Sequence, residues 1–150
     1  DRSHLAFPTH AGPLAPVWPV TRATVGAFRL FPGLSPDLLA NVLQPPLQGL
    51  ALMAFGVGNG PDRDDRFLAV LAEAAARDVV IVAITQCLRG SVCLSEYAAG
   101  SALARAGVIS GYDMTTEAAL CKLFFLFGCG LSPEQVRQRM GENLCGELTR

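Results

Sequence analysis

Apolar and polar residues fall into blocks along the chain whose spacing changes from block to block. Leu50 to Phe55 is an unbroken apolar run, too short to cross a membrane and suited to a strand buried on both faces. It stops at Gly56-Val57-Gly58-Asn59-Gly60-Pro61, and helical spacing takes over beyond Asp64 in Phe67, Val70, Leu71 and Ala74. Val79 to Ile84 is a β-branched run ending in Thr85-Gln86-Cys87. Strand, helix, strand with connections this short predicts a right-handed βαβ unit. Upstream, Val25 to Phe31 predicts a strand, and Ser35-Pro36-Asp37 a helix start with serine as cap and proline in the first helical position. Pro45-Pro46 end that helix. Downstream come a small-residue helix over Glu96 to Ala106 and a short strand over Gly107 to Ser110. Asp113 is expected to cap a further helix in which Leu120, Leu123, Phe124 and Phe127 share a face. Ser132-Pro133-Glu134-Gln135 is a capping-box sequence that opens a last helix running to about Asn143. The pattern predicts an α/β fold: a doubly wound, about four-stranded parallel sheet with flanking helices. Residues 1–23, rich in proline and without periodicity, read as a leader or linker, and residues 24–150 as the domain.

Composition adds a constraint on the surface. A chain of 150 residues is expected to form one domain with a core. It is 51% hydrophobic and only 17% charged, against about 25% charged in ordinary soluble domains. The shortage points to a surface covered by another domain or subunit. Net charge is −1 with no basic run, unlike a nucleic-acid-binding chain. No segment reaches the length of a membrane span. The chain begins with Asp1 rather than methionine and is expected to be a fragment or a processed piece. Five cysteines (Cys87, Cys93, Cys121, Cys129, Cys145) form no Cys-x-x-Cys pair, and most are expected to be buried free thiols of a reducing compartment. A zinc site is not expected, because His4 and His10 are remote from every thiol.

Candidate chemistry centres on the glycine turn. Strand, Gly-rich turn, helix is how parallel α/β sheets build ligand sites outside the carboxyl ends of their strands. Asn59 is the one side chain there with donors and an acceptor. It either contacts a small polar ligand or serves the turn by tolerating left-handed geometry. Proline at position 61 breaks a dinucleotide fingerprint, and no Gly-Lys-Ser/Thr follows as a phosphate loop requires. Thr85 and Gln86 end the second buried run and are expected beside Gly56 to Asn59 on one edge of the sheet. Thr115 and Thr116 read better as helix caps than as nucleophiles. The carboxylates of Asp62, Asp64 and Asp65 read as a solvated helix start. Cys87 has no evident histidine or lysine to activate it. Lys122, the only lysine, is expected to be a solvated charge or half of a surface pair. The residues describe half of a site.

Phe31-Pro32-Gly33, Gln44-Pro45-Pro46-Leu47-Gln48-Gly49-Leu50, Gly56 to Pro61, Thr85-Gln86-Cys87 with Gly90 and Tyr97, then Gly107 to Leu120 and Lys122-Leu123 follow one another in order. Together they resemble the C-terminal domain of L-asparaginases, in particular the cytoplasmic, type I branch that includes animal enzymes. The resemblance covers residues 24 to 149. It implies a two-domain amidohydrolase that converts L-asparagine and water to L-aspartate and ammonia, with no metal or organic cofactor. It places the catalytic threonines in an N-terminal domain absent from this chain, so no catalytic residue is expected here. It also implies a homo-dimer or tetramer whose sites form between subunits, with Asn59 as a substrate-binding contact. Thr85 and Cys87 match an allosteric or interface site found in some type I enzymes, whose arginine position is occupied here by Met53. Two other readings stand beside this one: a non-catalytic oligomerisation or amino-acid-binding domain, and a nucleotide-binding half-domain.

Overall fold

The computed structural model describes residues 22–94 and 98–149. The proline-rich leader up to residue 21, the expected helix start at Glu96, and Tyr97 lie outside the described residues. Four strands form one sheet: β1 (Val25–Arg29), β2 (Gly49–Ala54), β3 (Val80–Thr85) and β4 (Ile109–Ser110). They lie in the order β1-β2-β3-β4 and every pairing is parallel. The register sets Arg29 opposite Met53, Met53 opposite Ile84 and Val82 opposite Ile109. β3 is buried over Val80 to Ile84, the consequence of having helices on both faces of the sheet.

Side-chain alternation divides the core in two. Leu50, Leu52, Ala54, Ile81 and Ala83 point toward α1 (Pro36–Val42), α2 (Asp65–Ala76) and α3 (Ala98–Arg105). Ala51, Val80, Val82 and Ile84 point the other way, toward α4 (Thr116–Gly128) and α5 (Pro133–Met140). Ser35 caps α1 by accepting from the Asp37 N–H, and Asp64 caps α2 by accepting from the Phe67 N–H. Ser132 and Gln135 make both bonds of the capping box on α5.

Four expectations are corrected. Asp113 does not cap α4; Thr115 does, its hydroxyl accepting from the Ala118 N–H at 3.2 Å. A turn in which Met114 N–H donates to Gly111 carries the chain past Asp113, whose carboxylate instead accepts from the Thr149 N–H at 2.9 Å. Phe124 is 40% exposed and does not share the buried face of α4, which is built from Ala119, Lys122, Leu123, Leu126 and Phe127. Lys122 is 5% exposed, not solvated. A lysine that finds internal partners turns the buried stripe toward itself, and Phe124 rotates out. The last helix stops at Met140, where Gly141 forms the cap, short of Asn143.

Candidate functional site

The turn after β2 is a closed loop. Asn59 N–H donates to the Phe55 carbonyl at 2.7 Å, and Phe55 N–H donates to the Asn59 carbonyl at 2.9 Å. Gly56 has φ 51° and Gly58 φ 114°, conformations that favour glycine. Gly58 is also pinned sterically: a Cβ there would stand 2.8 Å from Val92 Cγ1. Asn59 has no positive φ, so the turn does not need it for left-handed geometry. Its side chain is exposed and makes no hydrogen bond among the described residues. The turn's backbone is thus held without help from the Asn59 carboxamide.

Thr85 ties this turn to the end of β3. Its hydroxyl donates to the Gly56 carbonyl at 2.6 Å and accepts from the Cys87 N–H at 3.0 Å. The neighbouring Gln86 binds three strand ends together. Its side-chain amide donates to the carbonyls of Leu30 and Met53, each at 2.7 Å, and its own N–H donates to Ala54. The polar triplet after an apolar strand was a visible signal, but a clamp on β1 and β2 could be recognised only once the strand order was known. As expected, the ends of β2 and β3 meet on one edge. Thr85 and Cys87 line a cavity of about 560 Å³ there, between the strand ends and the start of α4. Asn59 is not among its lining residues, so the structure groups Thr85 with Cys87 and leaves Asn59 outside.

A second polar cluster, unforeseen in the sequence, closes the C-terminal end. Lys122 Nζ donates to the Met140 carbonyl at 3.1 Å, to the Glu142 carbonyl, and to Glu147 Oε1 at 2.5 Å. Three hydrogens meet three acceptors. Burial alone would raise the Glu147 carboxyl, but the Lys122 ammonium and the N–H groups of Cys145 and Leu144 outweigh it and hold the acid at about 2. Burial and the adjacent Glu147 carboxylate raise the Cys145 thiol. At Asp113 burial opposes ionisation, yet hydrogen bonds from Thr149 prevail and lower the carboxyl. All five cysteines are free thiols, and none is buried: Cys87, Cys121 and Cys145 are exposed, Cys93 and Cys129 half-buried. The expectation of buried thiols fails because Cys121 faces outward on α4 and Cys87 and Cys145 sit in loops. Among the described residues no His/Cys/Asp/Glu group could hold a metal ion, and no helix is long and apolar enough to cross a membrane.

Residues 24–140 match the family model of the glutaminase/asparaginase C-terminal domain. The chain belongs to this family. L-asparaginase 1 of Escherichia coli K12 is 46% identical over 133 residues, covering 89% of this chain and 39% of that protein. The 60 kDa lysophospholipase of Homo sapiens is 48% identical over 126 residues, covering 83% of this chain and 22% of that protein. The crystal structure of L-asparaginase I from Vibrio cholerae superposes with a TM-score of 0.84 at 46% identity, covering 89% of this chain and 40% of that one. The chain therefore spans about two fifths of the asparaginases it matches. The glutaminase/asparaginase C-terminal domain explains the four-stranded parallel sheet and the long shared motif order.

Proposed function

We propose that this chain is the C-terminal part of an L-asparaginase that hydrolyses L-asparagine to L-aspartate and ammonia. In this reading the chain supplies Asn59 as a polar substrate contact and an interface to the rest of the enzyme. The catalytic threonines lie in the N-terminal domain. The reaction proceeds without metal or organic cofactor, in the cytoplasm, in a homo-dimer or tetramer. The observation that carries the reading is the idle carboxamide of Asn59. The turn holds itself through backbone bonds and through Thr85, and Asn59 is presented outward with both donors and its acceptor uncommitted. A residue that the turn does not need, at the position the family uses for substrate, is a ligand contact.

The test is Asn59→Ala in the full-length enzyme. kcat/KM should fall by about 5- to 150-fold, equivalent to about 1–3 kcal/mol for a lost buried hydrogen bond, with thermal stability unchanged. Wild-type kinetics in the folded variant would remove Asn59 from the site. Ammonia release from L-asparagine by this chain alone would show that the nucleophile lies within it, contrary to the proposal. A full-length protein that assembles but never releases ammonia would favour the reading of a non-catalytic oligomerisation or amino-acid-binding domain.

A further inference from the structure

α4 lacks the polar face that a surface helix ordinarily turns to water. Over Thr116–Gly128 its charges are Glu117, in the first turn, and Lys122, which is buried. One flank, with Ala118, Lys122, Phe125 and Cys129, faces α5 and the 143–148 loop across two clefts. The opposite flank runs through Leu120, Phe124 and Gly128 at helical spacing and lines neither cleft. α4 lies across β1 and β2 with α5 beside it over β3, so this second flank looks out past β1, the end strand of the sheet. Leu120 is half-buried and Phe124 is 40% exposed, an apolar row left open at the sheet's edge. The leader joins the domain beside this row. Ala23 and Val25 pack against the same core cluster as Leu120. Val25 pairs with Gly49, where a Cβ would stand 3.1 Å from Phe127 and 3.3 Å from Leu123, so the chain enters the sheet level with the last turns of α4. Phe124 lies within one turn of both.

We infer that residues 13–20 of the leader, Pro-Leu-Ala-Pro-Val-Trp-Pro-Val, lie along this flank of α4, with Trp18 against Leu120 and Phe124. The segment carries no charge, and the indole N–H is its one polar side-chain group. Pro13, Pro16 and Pro19 recur every third residue, the period of a polyproline II chain. In that conformation the prolines share one edge, and Leu14, Val17 and Val20 share another. At about 3.1 Å per residue such a segment spans about 25 Å, close to the length of about 20 Å for the 13 residues of α4. Proline has no N–H to lose from water on an apolar face, and its fixed φ leaves less freedom to surrender on docking. The same prolines disfavour the other use of the place, a strand added to the free edge of β1, because each would remove a ladder bond. From Arg22 back to Trp18 the chain reaches about 13 Å when extended, against about 5 Å for one turn of helix. A tether that short keeps the leader at a local concentration that a second copy of the chain would have to match by collision. The docking rests on these two faces of the chain and not on the asparaginase reading.

Trp18 is the only tryptophan of the chain, and its emission in the full-length protein is the difference between the parent and the Trp18→Phe variant. The indole should emit to the blue of its position in urea and be quenched by acrylamide several-fold less. Phe124→Ser should move the emission to the red and bring quenching close to its value in urea, with the circular dichroism of the parent retained. Phe125→Ser, on the other flank of α4, should change neither emission nor quenching. A second readout spares the domain. Trp18→Ala should speed tryptic cleavage after Arg22 by about tenfold or more, because the docked leader holds that bond away from the protease. An indole as accessible in the parent as in urea overturns the inference. So does an indole indifferent to Phe124→Ser in a folded variant, or cleavage after Arg22 unchanged by Trp18→Ala. Shielding that is lost on dilution overturns it too, and gives the row to a second copy of the chain.

Discussion

Replacing Lys122 with methionine probes the least expected interaction in the structure. The side chains of Lys122 and Glu147 are 3% and 9% exposed, so their charges meet with little water between them. The fall of the Glu147 carboxyl from its ordinary 4.5 to about 2 is worth about 3 kcal/mol, at about 1.4 kcal/mol per tenfold change in acidity. The sign follows from the direction. A carboxyl depressed on folding stabilises the fold at pH values above its unfolded value, and that stability disappears as pH falls from about 4.5 to about 2. Methionine preserves much of the length of the stem but leaves Glu147 charged and unpaired, and withdraws the donor from the carbonyls of Met140 and Glu142. Breaking a buried pair from one side typically costs about 3–5 kcal/mol.

The readout is local. The amides of Leu144 and Cys145 donate to Glu147, so their hydrogen exchange reports whether the 143–148 loop stays docked on α4. In Lys122→Met their protection at pH 7 should fall by about a hundredfold or more, equivalent to about 3 kcal/mol. The loss of protection that the parent shows between pH 4.5 and 2, corrected for intrinsic exchange, should flatten in the variant. Adding Glu147→Leu should return part of the lost protection, because it removes the stranded charge. A variant that keeps its protection within about tenfold of the parent, or keeps its pH dependence, would refute the account of Lys122 as the keystone of this end.

Other consequences follow from single contacts. Gln86→Leu removes the donor shared by the carbonyls of Leu30 and Met53 and should cost about 2–4 kcal/mol in urea unfolding, with m unchanged. Gly58→Ala forces a side chain onto φ 114° and against Val92, and should destabilise by about 2 kcal/mol or more, lowering Tm. Reaction with an aromatic disulfide reagent under native conditions should modify Cys87 and Cys121 before Cys145. Its thiol is held protonated by burial and by Glu147, so the Glu147→Gln variant should react faster there.

The parts of the fold that local chemistry decides were legible in the residues. Ser35 and Ser132 cap the helices their spacing marks, because a cap needs only a side-chain oxygen two or three residues from a free amide, whereas Asp64, read as a solvated helix start, turns out to cap α2. The buried runs of β2 and β3 declared themselves because a strand covered on both faces leaves no polar position. The misreadings at Asp113, Lys122 and Phe124 share one cause, a partner distant in sequence. Thr149 takes the Asp113 carboxylate and leaves Thr115 to cap α4; Glu147 draws Lys122 inward, and Phe124 turns out. Neither partnership has a periodic signature.

The site divides along the same line. Asn59 was legible because glycines isolate it on a turn, and the structure adds the reason it is free: the turn closes through backbone bonds. Arg29, the one charge in an otherwise apolar strand, drew no notice in the sequence, because what it stands beside depends on register. One residue of slippage between β1 and β2 would set it against another neighbour and turn it to the opposite face from Met53. Gln86 opposes such slippage by holding the carbonyls of Leu30 and Met53 with one amide. The clamp holds the ends of β1, β2 and β3 at one edge, so Gln86→Leu should loosen that edge as well as lower stability, while Gly58→Ala, which strains the neighbouring turn, should disturb Asn59 first.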